Sequence, residues 1–546
     1  MLKTWLNDIN LRHTAHIILG LVTILILLTF RNYGVTWDEE LQSQYGLAIV
    51  DYYFSGFRDD RYAEIFNLYL YGGMFDGLAS LVDRFTPFIV YETRHLLNAL
   101  FGLLGLWGVW RLGRLIGGNV IGLLALILLT LTPVYYGHMF NNPKDIPFAV
   151  GIIWSIYFMG RCMAAWPQPK WSLIFKLGLV LGLTLGVRVG AVMLLAFWLM
   201  TLGIGALEPF WHQYRVANLK KSFQDIGRYS WRLILPATVI AYIVMLICWP
   251  WAQHDPFLNP WRAVSEFSNF PQDVEVLLGG TIYRSTELPR TYIPLYFLIQ
   301  LPELLLGLTF ASVCLMPWIM KRLNHYQRQT VLLILLMAFM PLIFVLIHHS
   351  ALYDAARHFL FVVPLICLLA ALAARYIFLW AVAAFEQAWS KQVIASGLFA
   401  IFLISMITQI FIMKQLHPYE YIYANSLTRG VSGAYRKYEL DYWGTSFKEA
   451  AEELQKFVNK EGGIPPGKMY RVAICGPWSA ATIYLPPDYD AVIANEPAEF
   501  FLATTRWQCQ DMRPGQEIIR IERMGAPLAI VKDLRNGYEN YEGNKR

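Results

Sequence analysis

"HTAHIILGLVTILILLTFRNYGVTWDEE" occupies residues 13–40. Its first part is apolar and long enough to cross a hydrocarbon layer of about 30 Å as a helix. Its last part stacks Asp38, Glu39 and Glu40 where the chain leaves that layer. A secretory signal would end in a small-residue cleavage site. This segment runs instead into Arg31, Asn32 and Tyr33, so a retained anchor is expected.

The rest of the chain has the same texture. Of 546 residues, 56% are hydrophobic and only 15% are charged, with mean hydropathy +0.40. That is more apolar than one water-soluble core requires. Eleven stretches of spanning length follow: 14–30, 93–111, 119–136, 146–161, 172–187, 189–207, 232–250, 292–313, 331–348, 358–380 and 394–413. Arg188 alone separates the fifth from the sixth. No period of 20 to 50 residues repeats, which argues against solenoids and propellers.

Lys and Arg favour alternate loops, those reached if the N-terminus is cytoplasmic, and acids favour the others. This asymmetry orients membrane helices. It places the loop 31–92 and the tail 414–546 outside the cytoplasm. The formal charge of +6 then belongs to the inner face and carries no nucleic-acid signal.

The tail changes character. "FKEAAEELQKFVNK" (447–460) is amphipathic, and "YRVAICG", "EFFLATT" and "EIIRIERMGAPLAIVKDL" have strand length, the last with a turn at Gly525. The expected architecture is mainly α: a polytopic helical bundle over 1–413, with a small extracytoplasmic α/β domain over 414–546. Cys475 and Cys509 fall in that domain, where an oxidising compartment permits a disulfide. The other cysteines lie in or beside spans, and no CxxC or HExxH marks a metal site.

Ionisable groups at membrane depth usually line a cavity or pair with one another. Four clusters emerge on one face. They are Asp38 with Glu39 and Glu40; His138, Lys144 and Asp145 in "HMFNNPKDIPF"; Arg188; and His348, His349, Asp354, Arg357 and His358 in "HHSALYDAARHF". Each has an ordinary reading as a solvated helix end, a surface pair, a snorkelling side chain or an interfacial histidine. Their convergence favours a site. Cations there would hold a phosphate, Arg bidentately, and a carboxylate would take the proton of an attacking hydroxyl. A phosphate held at a bilayer surface points to a lipid-linked sugar donor.

Three motifs carry a family resemblance. "TWDEE" (36–40) resembles the Asp-Glu pair in the first outer loop of membrane glycosyltransferases with the C-type fold. "NPKDIPF" (142–148) is similar to the D-x-P segment of their family-39 members, the protein O-mannosyltransferases and lipid A aminoarabinose transferases. "ARHFLFVVP" (356–364) resembles their R-Y-x-L-P-x-x-P stretch, with His358 for the tyrosine and Phe361 for the first proline. The resemblance covers about residues 14–413. It implies a polyprenyl-phosphate-sugar donor, transfer at the outer face of a bacterial inner membrane, and inversion at the anomeric carbon. It aligns Asp38 with the catalytic base, Glu39 with its acidic neighbour, Asp145 with the second-loop acid and Arg357 with the late-loop arginine.

Lys144 and Arg188 are assigned to the donor phosphate from charge and placement, together with Arg357 and His358. His138 and Glu303 are candidate groove residues. A metal stays open: the resemblance implies monophosphate-linked donors that often need none, although Asp38, Glu39 and Asp145 could bind a divalent ion. "HPYEYIYANSLTRGVSGAY" (417–435) and "ELDYWGTSFKEA" (439–450) resemble a bacterial branch, and their aromatics suit carbohydrate stacking or docking onto the bundle. The acceptor stays open among glycan, lipid and protein. Two other classes stand beside this reading. One is a secondary transporter using Glu303 at membrane depth; the other is a noncatalytic subunit presenting the tail domain.

Overall fold

The computed structural model describes residues 8–213, 227, 230–268, 273–348, 351–385 and 387–536. Eight apolar helical segments among them are long enough to cross a membrane, and two shorter apolar helices cover Trp171–Leu185 and Val189–Gly205. The segment Val90–Thr130 has 41 residues, too many for one crossing. It breaks at Gly117 and Gly118, where Gly118 has φ +83°, a value that glycine adopts without steric cost. A Cβ on Gly113 would lie 2.7 Å from the Cα of Gly122. Along a straight helix those residues are roughly 14 Å apart, so the chain folds back on itself. Counted as two, and with the shorter helices added, the segments number eleven. The protein is an integral membrane protein.

The eighth span is shifted from the expected 292–313. A short helix, Tyr292–Gln300, stops before Pro302, and a new one runs from Glu303 to Met320. Leu301 and Pro302 are extended, with ψ near 144°. Proline disfavours helical backbone in the residue before it and donates no hydrogen bond. Glu303 is therefore not mid-span. It opens a helix, is exposed, and accepts a hydrogen bond from the Ser426 amide at 2.8 Å.

A hairpin of β1 (Glu275–Leu278) and β2 (Thr281–Arg284) precedes the eighth span, and the tail forms a five-stranded sheet from β3 (Tyr470–Cys475), β4 (Tyr489–Ile493), β5 (Phe500–Thr504), β6 (Gln516–Arg523) and β7 (Ala526–Asp533), in the order β4-β3-β5-β7-β6. In that sheet β3, β4 and β5 are mutually parallel, and β7 runs antiparallel to both β5 and β6. The expected strands and the helix Phe447–Lys460 are present; β4 comes from "YDAVI", too short and mixed to stand out. Cys475 and Cys509 are disulfide-bonded, with Cα atoms 5.6 Å apart.

Residues 417–446 join this sheet to the bundle. Glu420, buried, accepts a hydrogen bond from the Tyr33 hydroxyl at 3.0 Å and pairs with His417 at 2.8 Å. A side chain at Gly34 would collide with the carbonyl of Thr445. That glycine lets the loop after the first span lie directly against the tail, and one apolar core continues from the bundle into the sheet.

Candidate active site

Between bundle and tail lies a cavity of about 340 Å³, large enough for a small ligand or the head of a larger one. Five separate breaks in regular structure wall it. The loop before the helix Glu39–Phe54 supplies Asp38. The turn before Asp145–Ala164 supplies Lys144, and the break after Trp171–Leu185 supplies Arg188. The 3₁₀ turn Arg357–Phe359 supplies Arg357 and His358, and the loop after β5 supplies Arg506 and Trp507. Helices end there because their sequences stop them, so irregular backbone gathers where it lines a cavity.

Four cations face four carboxylates in two connected groups. Arg357 reaches Asp38 at 3.1 Å and Asp354 at 2.8 Å; Arg506 reaches Asp354 at 2.8 Å and Glu439 at 3.2 Å. A relay of five charges thus runs from the first outer loop to the tail. Beside it, Arg188 meets Asp145 at 2.6 Å. Lys144 sits 4.2 Å above the ring of Tyr71, which Arg188 also approaches at 5.7 Å. A ring face attracts cations, and the Tyr71 backbone is anchored by the Tyr45 hydroxyl at 2.9 Å. Asp354 and Ala355 both have positive φ, 55° and 59°, the kind of local strain that collects at functional sites.

Burial and charge set the protonation states. Burial lowers the Lys144 ammonium to about 8, against the pull of Asp38 and Asp76. Burial also opposes the charge on Arg357, but Asp354 and Asp38 outweigh it and raise its pKa further. His358 is pushed well below the usual histidine range by burial and by Arg357, so it is a neutral imidazole at pH 7. Burial raises the Glu439 carboxyl to about 7, against the attraction of Arg506.

Asp38 differs from the other three acids. Its side chain is 33% exposed, against 2% to 6% for Asp145, Asp354 and Glu439. Only its Oδ2 is engaged. It is the carboxylate of the set that an incoming hydroxyl can reach.

Residues 93–219 match the family model described as dolichyl-phosphate-mannose-protein mannosyltransferase. The match covers less than a quarter of the chain. The matched stretch holds His138, Lys144, Asp145 and Arg188; Asp38 and Arg357 join it through space. In fold the chain resembles the oligosaccharyltransferase AglB from Archaeoglobus fulgidus, solved with an inhibitory peptide and a dolichol-phosphate. The TM-score is 0.50 and the identity 12%, over 90% of this chain and 69% of that one. An apo form of the Archaeoglobus fulgidus oligosaccharyltransferase gives 0.49 and 14%, and this chain spans only 64% of its length. ArnT from Cupriavidus metallidurans, crystallised with undecaprenyl phosphate, gives 0.46 and 10% over 94% and 97% of the two chains. No curated protein matches in sequence.

The structure brings together Asp38, Lys144, Arg188, Arg357 and His358 on the cavity wall, with Asp145 directly behind Arg188. Three other expectations change. Glu39 turns away: its carboxylate accepts from the Thr36 amide at 2.8 Å and meets His95 at 3.1 Å, while its own amide bonds Thr36. That amide donates to the Thr36 backbone carbonyl, so a tight turn at the start of the helix Glu39–Phe54 holds the carboxylate inward. His138 stands behind the wall, its ring between Asn142 at 3.2 Å and the Tyr442 hydroxyl at 3.1 Å. Glu303 does not line the cavity and serves the 417–446 segment, which removes the membrane-depth acid on which the transporter reading rested.

Asp38 and Asp145 face different arginines and Glu39 faces His95, and among the described residues no three metal-ligating side chains gather. His348 ends its helix exposed; His349 lies outside the described residues. Sequence reading missed Tyr71, Tyr353, Trp443, Arg506 and Glu439. Only Trp443 and Glu439 had a signal, in "ELDYWG".

Proposed function

We propose that this protein is a membrane glycosyltransferase, which moves a sugar from a polyprenyl-phosphate donor onto a hydroxyl of its acceptor, on the extracytoplasmic side, with inversion. The observation that carries the reading is the reachable Asp38 carboxylate beside Lys144, Arg188 and Arg357 in one cavity. The donor phosphate would sit among those three cations. In doing so it competes with Asp38 for Arg357 and leaves the carboxylate free to accept a proton. The acceptor oxygen attacks the anomeric carbon as its proton passes to Asp38. The bond from that carbon to the phosphate oxygen breaks, and the lipid phosphate departs with the electron pair, stabilised by Lys144, Arg188 and Arg357. Held this way, donor and acceptor meet in line, so one displacement inverts the centre.

The other acids are each buried in ion pairs, which leaves no second nucleophile beside Asp38. The Cys475–Cys509 disulfide supports an oxidising compartment for the tail, and the dolichol-phosphate bound by the archaeal enzyme of like fold is in keeping with a polyprenyl carrier.

The test is turnover of a labelled polyprenyl-phosphate-sugar by Asp38→Asn. We expect a loss of about a hundredfold or more, with donor retention kept. Wild-type turnover in that variant would remove Asp38 from the chemistry. Mass spectrometry of lipids copurifying with the protein identifies the donor.

A further inference from the structure

A second cavity, of about 450 Å³, lies at the opposite end of the bundle. Arg161 on its rim ends the helix that Asp145 begins, and sixteen residues of helix place the two roughly 24 Å apart. Three elements deliver arginines to it: Arg12 from the first span, Arg111 and Arg114 from the first arm of the Val90–Thr130 hairpin, and Arg161. Asp8 is the one acid on the lining, and among the described residues none of the four arginines makes an ion pair.

Their guanidinium groups are nevertheless held in place. Arg111 and Arg161 both donate to the buried Tyr157 hydroxyl, at 2.7 and 3.0 Å, and Arg114 stacks 4.7 Å from the Trp110 ring. Like charges fixed around one space repel unless an anion enters, and arginine forks match phosphate oxygens bidentately. A further group points to the ligand. Asn119 lines the same cavity, is 7% exposed, and its Oδ1 is buried with no hydrogen-bond partner. The phosphodiester group itself has no hydrogen to donate to that oxygen; a headgroup that also carries a hydroxyl does.

We infer that this cavity binds a phosphodiester headgroup bearing a hydroxyl, such as phosphatidylglycerol, on the membrane face opposite the catalytic cavity. The shared chemistry is a phosphate, which a lipid or a soluble phosphate can present. Basic pockets between helix ends are recognition sites for anionic lipids. The inference does not depend on the transfer reaction.

The experiment is native mass spectrometry of the full chain, released from micelles containing equal phosphatidylglycerol and phosphatidylcholine, with and without inorganic phosphate. Retention of phosphatidylglycerol over phosphatidylcholine should be about tenfold, and should approach parity in Arg12→Gln/Arg114→Gln. Displacement of the lipid by millimolar inorganic phosphate would reassign the site to a soluble phosphate. Equal retention of both lipids by the wild type, or an unchanged preference in the double variant, overturns the inference. Should that variant fail to fold, the wild-type preference decides it alone: it must fall as ionic strength rises, and a preference indifferent to salt also overturns the site.

Discussion

The two ends of the bundle treat positive charge in opposite ways. At the catalytic end, Lys144, Arg188, Arg357 and Arg506 share their cavity region with Asp38, Asp145, Asp354 and Glu439, and every arginine there is in an ion pair. At the other end, four arginines face Asp8 alone and rest on aromatic rings and a tyrosine hydroxyl. The paired set is preorganised, so a ligand must exchange with a resident carboxylate. The unpaired set is held by packing, so an anion simply completes it. A site that releases a phosphate in every cycle suits the first arrangement; a site that retains a lipid suits the second.

The strongest way to break this contrast is the Asp38→Asn turnover test, where a loss of about a hundredfold is expected. Next is a comparison of stability. Arg357→Gln takes one of its two arginines from buried Asp354, leaving Arg506, and should cost about 2–3 kcal/mol in equilibrium unfolding from micelles. Arg114→Gln removes an unpaired charge and should stay within about 0.5 kcal/mol in lipid-free neutral micelles. Equal losses would mean that the two ends are built alike.

Acidity sharpens the picture further. With Lys144 lowered to about 8, donor affinity of the ligand-free enzyme should fall as pH rises through 8, because the ammonium deprotonates. Lys144→Arg, charged throughout, should shift that limb upward by at least a unit; an unmoved limb would take Lys144 out of the phosphate cradle.

The smallest effect belongs to Glu439. Its folded pKa, about 7, exceeds the ordinary glutamate value of 4.5, so the folded state binds more protons than the unfolded state between those values. Stability must then fall as pH rises across that window. Glu439→Gln should flatten this slope in thermal unfolding, a change of a few degrees.

Much of this was legible in one dimension. Spanning helices announce themselves by length, since a bilayer has one thickness and backbone groups cannot go unpaired inside it. Asp38, Lys144, Arg188 and Arg357 stood out because charge is scarce in such a chain. Glu39 adjoins Asp38 in sequence but is turned inward to His95 and the Thr36 amide, and Glu303 sits in an apolar run that conceals a Pro break. Arg506 gave no sign: an arginine after a strand in a soluble sheet is ordinary until the sheet docks on the bundle.

The sequence alone therefore determined the class, most of the spanning helices, four of the five strands of the tail and the inventory of costly charges, because those depend on local hydropathy, period and composition. Tertiary structure alone decided which charges meet. Asp38 and Arg357 are 319 residues apart, and Asp354 and Arg506 are 152 apart. No local pattern encodes such a pairing; it is set by where helices end and by how the tail closes over them.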